Sequence, residues 1–285
     1  MKYRVFTALL LIALMSILFA PSAQAAPSGD SGGPEVSSAI QNDVSKSLTQ
    51  MTASSTSSTA KHEKPQHPLV LPSGPVGPDP ALQKSAGPLA SATSGVGFAG
   101  VGNGDYNFSP NAAPPDTNLA VGSTQIVQWV NESFAVFDKA TGSLVFGPVA
   151  GNTMWAGFGG GCQTNNDGDP IVQYDQLANR WVFTQFSVST TPYLQCVAVS
   201  TGSDATGSYY RYAFSYCNTQ FIDYPKLGVW PDAYYISYNI FNNGTTFAGT
   251  KACAFDRANM LIGNSATQVC FQLSTSYGGL LPSDL

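Results

Sequence analysis

The sequence predicts an all-β protein, organised as a partial β-propeller of about three four-stranded blades after a disordered N-terminal region. From Val96 onward, aromatic and β-branched residues alternate with polar ones, and Gly, Asn, Asp and Pro separate the runs. This pattern is typical of strands and turns rather than of helices. The second observation is an internal repeat. An Asp that precedes a short apolar strand stands at positions 116, 169 and 223, at intervals of 53 and 54 residues.

Residues 1–25 have the pattern of an export signal. Lys2 and Arg4 precede an apolar run from Val5 to Ala20, and Ala23-Gln24-Ala25 is a small-residue cleavage site. A membrane anchor is the alternative, but the run is short for a bilayer span of about 20 residues. We predict a protein that is secreted or displayed on the cell surface, with no membrane span after the signal is cleaved.

Residues 26–98 predict a disordered spacer. Ser, Thr, Ala, Pro and Gly dominate this region, so it has little apolar surface to offset the entropy lost on ordering. A short helix between Ile40 and Met51 and a role as a pro-segment are alternatives that the composition leaves open.

Residues 99–285 contain the repeats. In each one, an Asp-led strand and its partner are followed by a second pair of strands around a polar turn, as in Phe134–Phe146. Four strands in about 50 residues fit one propeller blade. Three blades do not close a ring, because propellers usually have about four to eight. Truncation at the C-terminus is the expectation, and association of chains or an open sandwich are the alternatives.

Several segments of this region resemble a group of large secreted bacterial proteins. Those proteins are predicted β-propellers, mostly of unknown function, and the resemblance covers about residues 110–285. It implies the propeller fold and an N-terminal position in a longer protein, and it implies no catalytic residue. The segments that carry it are Pro114–Asn118, Gly168–Val172, Arg180-Trp181, Thr206–Tyr212, Tyr224–Asp232 and Ala254–Arg257.

The five cysteines all lie in the region that we expect to fold. Disulfides are expected in an exported protein, and an odd count leaves at least one thiol without a partner in this chain. We predict the pairs Cys162–Cys196 and Cys253–Cys270, with Cys217 left over. A zinc site is not supported, because the sequence contains no Cys-x-x-Cys pair.

Charge and histidine content exclude several classes of function. Residues 99–285 carry 12 acidic and 6 basic residues without a basic cluster, which argues against nucleic acid as a partner. The only histidines, His62 and His67, lie in the predicted spacer. A mechanism that needs a histidine base inside the folded domain is therefore excluded.

The repeated aspartates are the main candidate site. In a propeller, Asp116, Asp169 and Asp223 would converge at one mouth of the central channel. Close carboxylates raise one another's pKa or bind a hard cation, so an acid/base pair for glycan hydrolysis and a calcium site are both considered. The competing interpretation is that each Asp only caps the turn before its strand.

Two further groups complete the candidates. The acidic turn with Asn165, Asp167 and Asp169 predicts a calcium site, although it lacks the spacing of an EF-hand loop. Trp155 and Phe158, in a glycine-rich loop between blades, predict ligand contacts.

The remaining aromatic and basic residues have structural explanations. Trp129, Trp181 and Trp230 recur in the repeat and predict core packing between blades. The arginines at positions 180, 211 and 257 are interpreted as forming ion pairs or bonds to turn carbonyls, rather than as a carboxylate clamp.

The leading functional prediction is a binding or adhesion module for carbohydrate or for an extracellular protein, with no cofactor other than, at most, calcium. An extracellular glycan hydrolase that uses paired aspartates and a purely structural surface protein are the alternatives.

Overall fold

The computed structural model describes residues 33–52, 62–63, 85, 87, 95–110 and 112–285. The predicted signal at residues 1–25 and most of the predicted spacer lie outside these ranges. Within the described ranges, no helix has the length and apolar character that a membrane crossing requires.

Strands account for nearly all the regular structure. In chain order they are β1 (Glu35–Ser38), β2 (Gln41–Val44), β3 (His62–Glu63), β4 (Ala112–Ala113), β5 (Asn118–Val121), β6 (Gln125–Val130), β7 (Ser133–Asp138), β8 (Leu144–Ala150), β9 (Ile171–Asp175), β10 (Arg180–Ser187), β11 (Leu194–Ser200), β12 (Tyr209–Ser215), β13 (Gln220–Val229), β14 (Tyr234–Asn242), β15 (Thr246–Phe255) and β16 (Thr267–Gln272). The helices are one or two turns long: α1 (Gly160–Thr164), α2 (Arg257–Met260) and 3₁₀ turns at Leu48–Gln50, Asp105–Asn107 and Gly151–Trp155.

Apart from β3 and β4, which pair with each other in parallel, the described strands form three antiparallel sheets, each built on four strands that follow one another along the chain. The first sheet has the order β5-β6-β7-β8. The second has β9 to β12 with β2 added beyond β12, and the third has β13 to β16 with β1 added beyond β16. The prediction of an all-β domain is confirmed, with three antiparallel sheets, of which two have five strands rather than four. The described sheets do not close into a ring, and the propeller stays a prediction.

The first strands of the three sheets lie next to one another. Strand β9 contacts both β5 and β13. Side-chain hydrogen bonds join these strands in addition to their packing contacts. Val172 N–H donates to Asn118 Oδ1 over 2.8 Å, and Gln173 Nε2 donates to the Leu227 carbonyl over 2.8 Å. The turns that open the three sheets are therefore held at one end of the molecule.

The second sheet has apolar side chains on both faces. Along β10, Phe183 packs against Trp129 and Phe134 of the first sheet. Trp181 belongs to the same cluster, whereas Val182 belongs to the cluster shared with the third sheet. Successive side chains of a strand point to opposite faces, so alternate residues supply the two cores.

The segment 33–52 is ordered, which corrects the prediction of disorder for this part of residues 26–98. Strands β1 and β2 pair with the outer strands of two sheets and so satisfy backbone groups that an open edge would expose. The Arg211 guanidinium, almost fully buried, donates to Asp43 over 2.8 and 2.6 Å. The short helix considered as an alternative between Ile40 and Met51 does not form, because β2 and a single 3₁₀ turn occupy this range. Amino-acid composition did not predict the order of this segment, because the segment is ordered by pairing with the outer strands β16 and β12, which are distant in the sequence.

Both predicted disulfides are confirmed. Cys162 of α1 is joined to Cys196 of β11, and Cys253 is joined to Cys270 across the paired strands β15 and β16. Cys217 is free and exposed. These bonds are typical of a protein that folds in an oxidising compartment.

Candidate functional site

The turns that open the three sheets surround a polar pocket of about 380 Å³. It mixes carboxylate, ammonium, amide and phenol groups with a few apolar side chains. Its lining residues are Asp116, Thr117, Asn118, Asp169, Pro170, Ile171, Gln173, Tyr224, Pro225, Lys226, Leu227, Leu281 and Pro282. The pocket therefore draws on all three repeats and on the segment after β16.

The backbone of each opening turn is left-handed at one residue. Asp116 has φ of 37°, Asp169 has φ of 44° and Tyr224 has φ of 53°. Asp116 and Asp169 stand two residues before the first residues of β5 and β9. Tyr224 stands two residues before Lys226, where β13 resumes its pairing with β14 after a shift in register. Positive φ is costly for residues other than Gly and is often retained at functional sites. The structural equivalent of Asp116 and Asp169 in the third repeat is thus Tyr224, one residue after Asp223.

The structure brings the three repeated aspartates together, but not in equivalent roles. Asp116 and Asp169 line the pocket. Asp223 is not among the lining residues, and its Oδ1 accepts a bond from Tyr224 N–H over 2.9 Å. Its negative charge still lies close enough to act on Asp169.

The pKa of the Asp169 carboxyl group differs strongly from its ordinary value. Burial, followed by the charges of Asp223 and Asp116, raises the pKa of Asp169 to about 7, although Lys226 acts in the opposite direction. Burial also lowers the pKa of Lys226, and the three carboxylates partly offset that shift. The Lys226 ammonium lies 3.7 Å from the centre of the Tyr224 ring. At neutral pH the pocket therefore holds one carboxyl group poised between its two protonation states.

We expect Asp169→Asn to stabilise the protein at pH 8 and to leave its stability unchanged at pH 4. A folded-state pKa raised from 3.8 to about 7 means that the folded protein holds a proton that the unfolded chain has released, so stability falls as pH rises through this window. Allowing for solvent screening of a partly exposed group, the gain at pH 8 is about 1–2 kcal/mol. Asn tolerates positive φ, so the turn is retained.

Urea unfolding of the parent and the variant at both pH values measures this difference. Asp232→Asn is a matched control, because Asp232 is exposed and bonds the Tyr235 hydroxyl outside the pocket. An Asp169→Asn protein that is equally stable at pH 8, or gains as much at pH 4, would contradict the raised pKa.

The predicted calcium turn is a structural cap, which corrects the assignment of Asn165, Asp167 and Asp169 to one cation. Asp167 accepts the N–H groups of Val188 and Ser189 over 2.6 and 2.8 Å, and also the Ser189 hydroxyl. Asn165 Nδ2 donates to the hydroxyls of Ser187 and Thr190, whereas Asp169 lines the polar pocket. Across the residues that the structure describes, no group of three His, Cys, Asp or Glu side chains is arranged to hold a metal ion.

The prediction that Trp155 and Phe158 contact a ligand is wrong. Trp155 is 0% exposed and Phe158 is 3% exposed, and both belong to the core shared by the first two sheets. The Arg211 guanidinium lies 5.2 Å from the Phe158 ring. The glycine-rich loop folds inward as a 3₁₀ turn and α1, which the Cys162–Cys196 bond ties to β11.

The other tryptophans and the arginines have structural roles. Trp129 and Trp181 are buried as predicted, but Trp230 is exposed and donates its indole N–H to the Ser283 carbonyl over 2.9 Å. Arg211 and Arg257 form ion pairs with Asp43 and Asp175. Arg180 bonds the carbonyls of Ala178 and Asn179, so the arginines do not form a common clamp.

Sequence reasoning missed most of the pocket other than its aspartates. The missed residues are single polar side chains on strands, and nothing in their spacing distinguishes them from positions that face solvent. They are Asn118, Gln173, Tyr224 and Lys226. A signal was present in Asp169-Pro170 and Tyr224-Pro225, because the same turn with Pro at the same place indicates that Tyr224 replaces Asp.

In comparisons with known proteins, no protein family, curated protein or solved structure matches this chain at a significant level.

Proposed function

We propose that this chain is a secreted, propeller-like binding module that recognises carbohydrate through the polar pocket. The observation that supports the proposal most strongly is the convergence of strand-opening turns from three repeats on one cavity. Turns at one end of a rigid sheet scaffold are common positions for binding residues. The cavity volume of about 380 Å³ lies within the usual range of roughly 300–1,000 Å³ for small-ligand sites.

The chemistry of the lining suits a polyhydroxylated ligand. Asp116 and Asp169 can accept hydrogen bonds from sugar hydroxyls, Lys226 can donate them, and the amides of Asn118 and Gln173 offer groups of both kinds. Tyr224 lines the pocket and is 45% exposed, and an aromatic ring is a group on which the C–H face of a sugar ring can pack.

Secretion and the propeller architecture belong to the same proposal. Two disulfides support an oxidising compartment, and the export-signal pattern agrees with them. The contacts of β9 with β5 and β13 support blades arranged around a common axis. The resemblance to large secreted bacterial propeller-like proteins also supports this arrangement.

We expect the chain to bind at least one class of oligosaccharide in a glycan-array screen, and Asp116→Asn to weaken that binding about tenfold or more. A hydrogen bond to a charged group contributes about 1.5–3 kcal/mol, which corresponds to such a loss. Calorimetric titration of the hit measures the affinity, and Asp232→Asn is the control expected to bind like the parent. Failure to bind any glycan would overturn the proposal in favour of a protein ligand or a structural role. Equal affinity after Asp116→Asn would show that the glycan does not bind in the polar pocket.

A second candidate function is hydrolysis of a glycan by Asp169 with Asp116. The observation that favours it is the pKa of about 7 for Asp169 beside other carboxyl groups, because glycosidases pair a protonated acid with an ionised carboxylate. In this case Asp169→Asn would abolish release of reducing sugar even at a saturating glycan concentration. Unchanged binding with no lost turnover would count against the hydrolase.

A further inference from the structure

The segment after β16 repeats the geometry of the three opening turns. Gly279 has φ of 61°, so the left-handed residues stand at positions 116, 169, 224 and 279, at intervals of 53, 55 and 55 residues. Two residues after each of them comes a residue that lines the polar pocket, and in the last case this residue is Leu281. The segment 279–284 therefore stands as the fourth wall of the pocket.

Four polar contacts hold this wall against the third sheet. Asn239 Oδ1 accepts Gly279 N–H over 3.0 Å, and the Ser237 hydroxyl donates to the Leu280 carbonyl. The remaining two contacts lie nearer the chain end. The Trp230 indole N–H donates to the Ser283 carbonyl over 2.9 Å, and Val229 N–H donates to Asp284 Oδ1 over 2.8 Å. The position of the wall is thus set by side chains of β14 and by the end of β13.

The fourth wall differs in chemistry from the other three. The first three turns bring carboxylate, amide, ammonium and phenol groups to the pocket together with Pro170, Ile171, Pro225 and Leu227, whereas the fourth brings only the apolar side chains of Leu281 and Pro282. Leu281 is 70% exposed. An apolar side chain that lines a polar cavity and remains accessible can gain contacts from a ligand and not from the protein's own core.

We propose that Leu281 and Pro282 make this pocket selective for saccharides with an N-acetyl substituent, an inference that rests on the proposed carbohydrate-binding function. The acetamido methyl would pack on Leu281 and Pro282, and its N–H would donate to a lining carboxylate, Asp116 or Asp169. A plain hydroxyl can also donate to a carboxylate, but it carries no methyl group to cover the apolar side chains, which then stay in contact with water.

The test compares two tetrasaccharides that differ only in this substituent, the β-1,4-linked tetramers of N-acetylglucosamine and of glucose. Calorimetric titration of the full chain should show at least about fivefold tighter binding of the acetylated tetramer, as expected for one buried methyl group. Leu281→Ser should reduce this preference to near unity, because it lowers the affinity for the acetylated tetramer more than the affinity for the glucose tetramer. Leu285→Ser is the matched control, because Leu285 is also exposed and does not line the pocket.

The outcomes separate the two proposals. If the chain binds neither tetramer nor any other glycan, the proposed function fails and the inference fails with it. If the parent binds both tetramers equally, or if Leu281→Ser keeps the full preference, the inference about the fourth wall fails alone. Thermal melting of Leu281→Ser should match the parent, since the replaced side chain is largely in solvent, and this shows that the variant is folded.

Discussion

Replacing Arg257 by Ala is expected to lower the free energy of unfolding by about 3–5 kcal/mol, because it leaves a buried carboxylate without its counter-ion. Asp175, at the end of β9, is 0% exposed and accepts two bonds from the Arg257 guanidinium, over 2.7 and 3.0 Å. The Tyr234 hydroxyl donates to the same carboxylate over 2.9 Å. This cluster joins the second sheet to the third, so its loss weakens the contact between two repeats.

Urea unfolding monitored by circular dichroism measures the loss, and Arg180→Ala is the matched control. The Arg180 side chain donates to two backbone carbonyls at the turn before β10, so we expect its removal to cost less than about 1 kcal/mol. Equal effects of the two substitutions would show that the buried pair contributes no more than a surface contact. Arg257→Lys should recover only part of the loss, since an ammonium group does not reproduce two parallel bonds to one carboxylate.

Trp155→Ala is expected to destabilise the protein by about 3–5 kcal/mol without removing a ligand contact. The indole is fully buried in the core between the first two sheets, in a 3₁₀ turn close to the disulfide at Cys162. Removing it creates a cavity that the surrounding β-sheet scaffold cannot close. The same change in an exposed ligand-binding loop would reduce affinity and leave stability nearly unaltered.

Circular dichroism again provides the measurement, because the substitution removes a fluorophore. Leu177→Ala is the control for truncating a large side chain, since Leu177 is 63% exposed at the turn between β9 and β10. We expect that control to change stability by less than about 0.5 kcal/mol. If Trp155→Ala is as stable as the control, Trp155 is not a core residue and is again a candidate for ligand contact.

Local patterns explain which structural predictions succeeded. Alternation of side chains has a period of two within each strand, so Trp181, Val182 and Phe183 are recognisable as a strand from their immediate neighbours. The repeat interval then gives the number of four-stranded units. The disulfide pairs also agreed with prediction, and both join residues within 34 positions along the chain.

Errors occurred where distant segments decide the outcome. Residues 35–44 contain too little apolar surface to order themselves, and they become strands because the outer edges of β16 and β12 lack partners without them. The glycine-rich loop around Trp155 resembles a surface loop in sequence, and it is buried because the first two sheets leave room for an indole between them. Neither the strands within residues 35–44 nor the burial of Trp155 can be predicted from the neighbouring residues in the sequence.

The local order of polar and apolar residues was sufficient to specify strands, turns and the threefold repetition, because each depends on contacts between near neighbours in the chain. Membership of the pocket was decided only by folding, since Asp116, Asp169, Lys226 and Leu281 meet through packing of units more than 50 residues apart. The same packing removes water from Asp169 and places other carboxylates beside it, and these two effects produce its raised pKa. A carboxyl group's chemistry depends on its surroundings, and here those surroundings exist only in the folded chain.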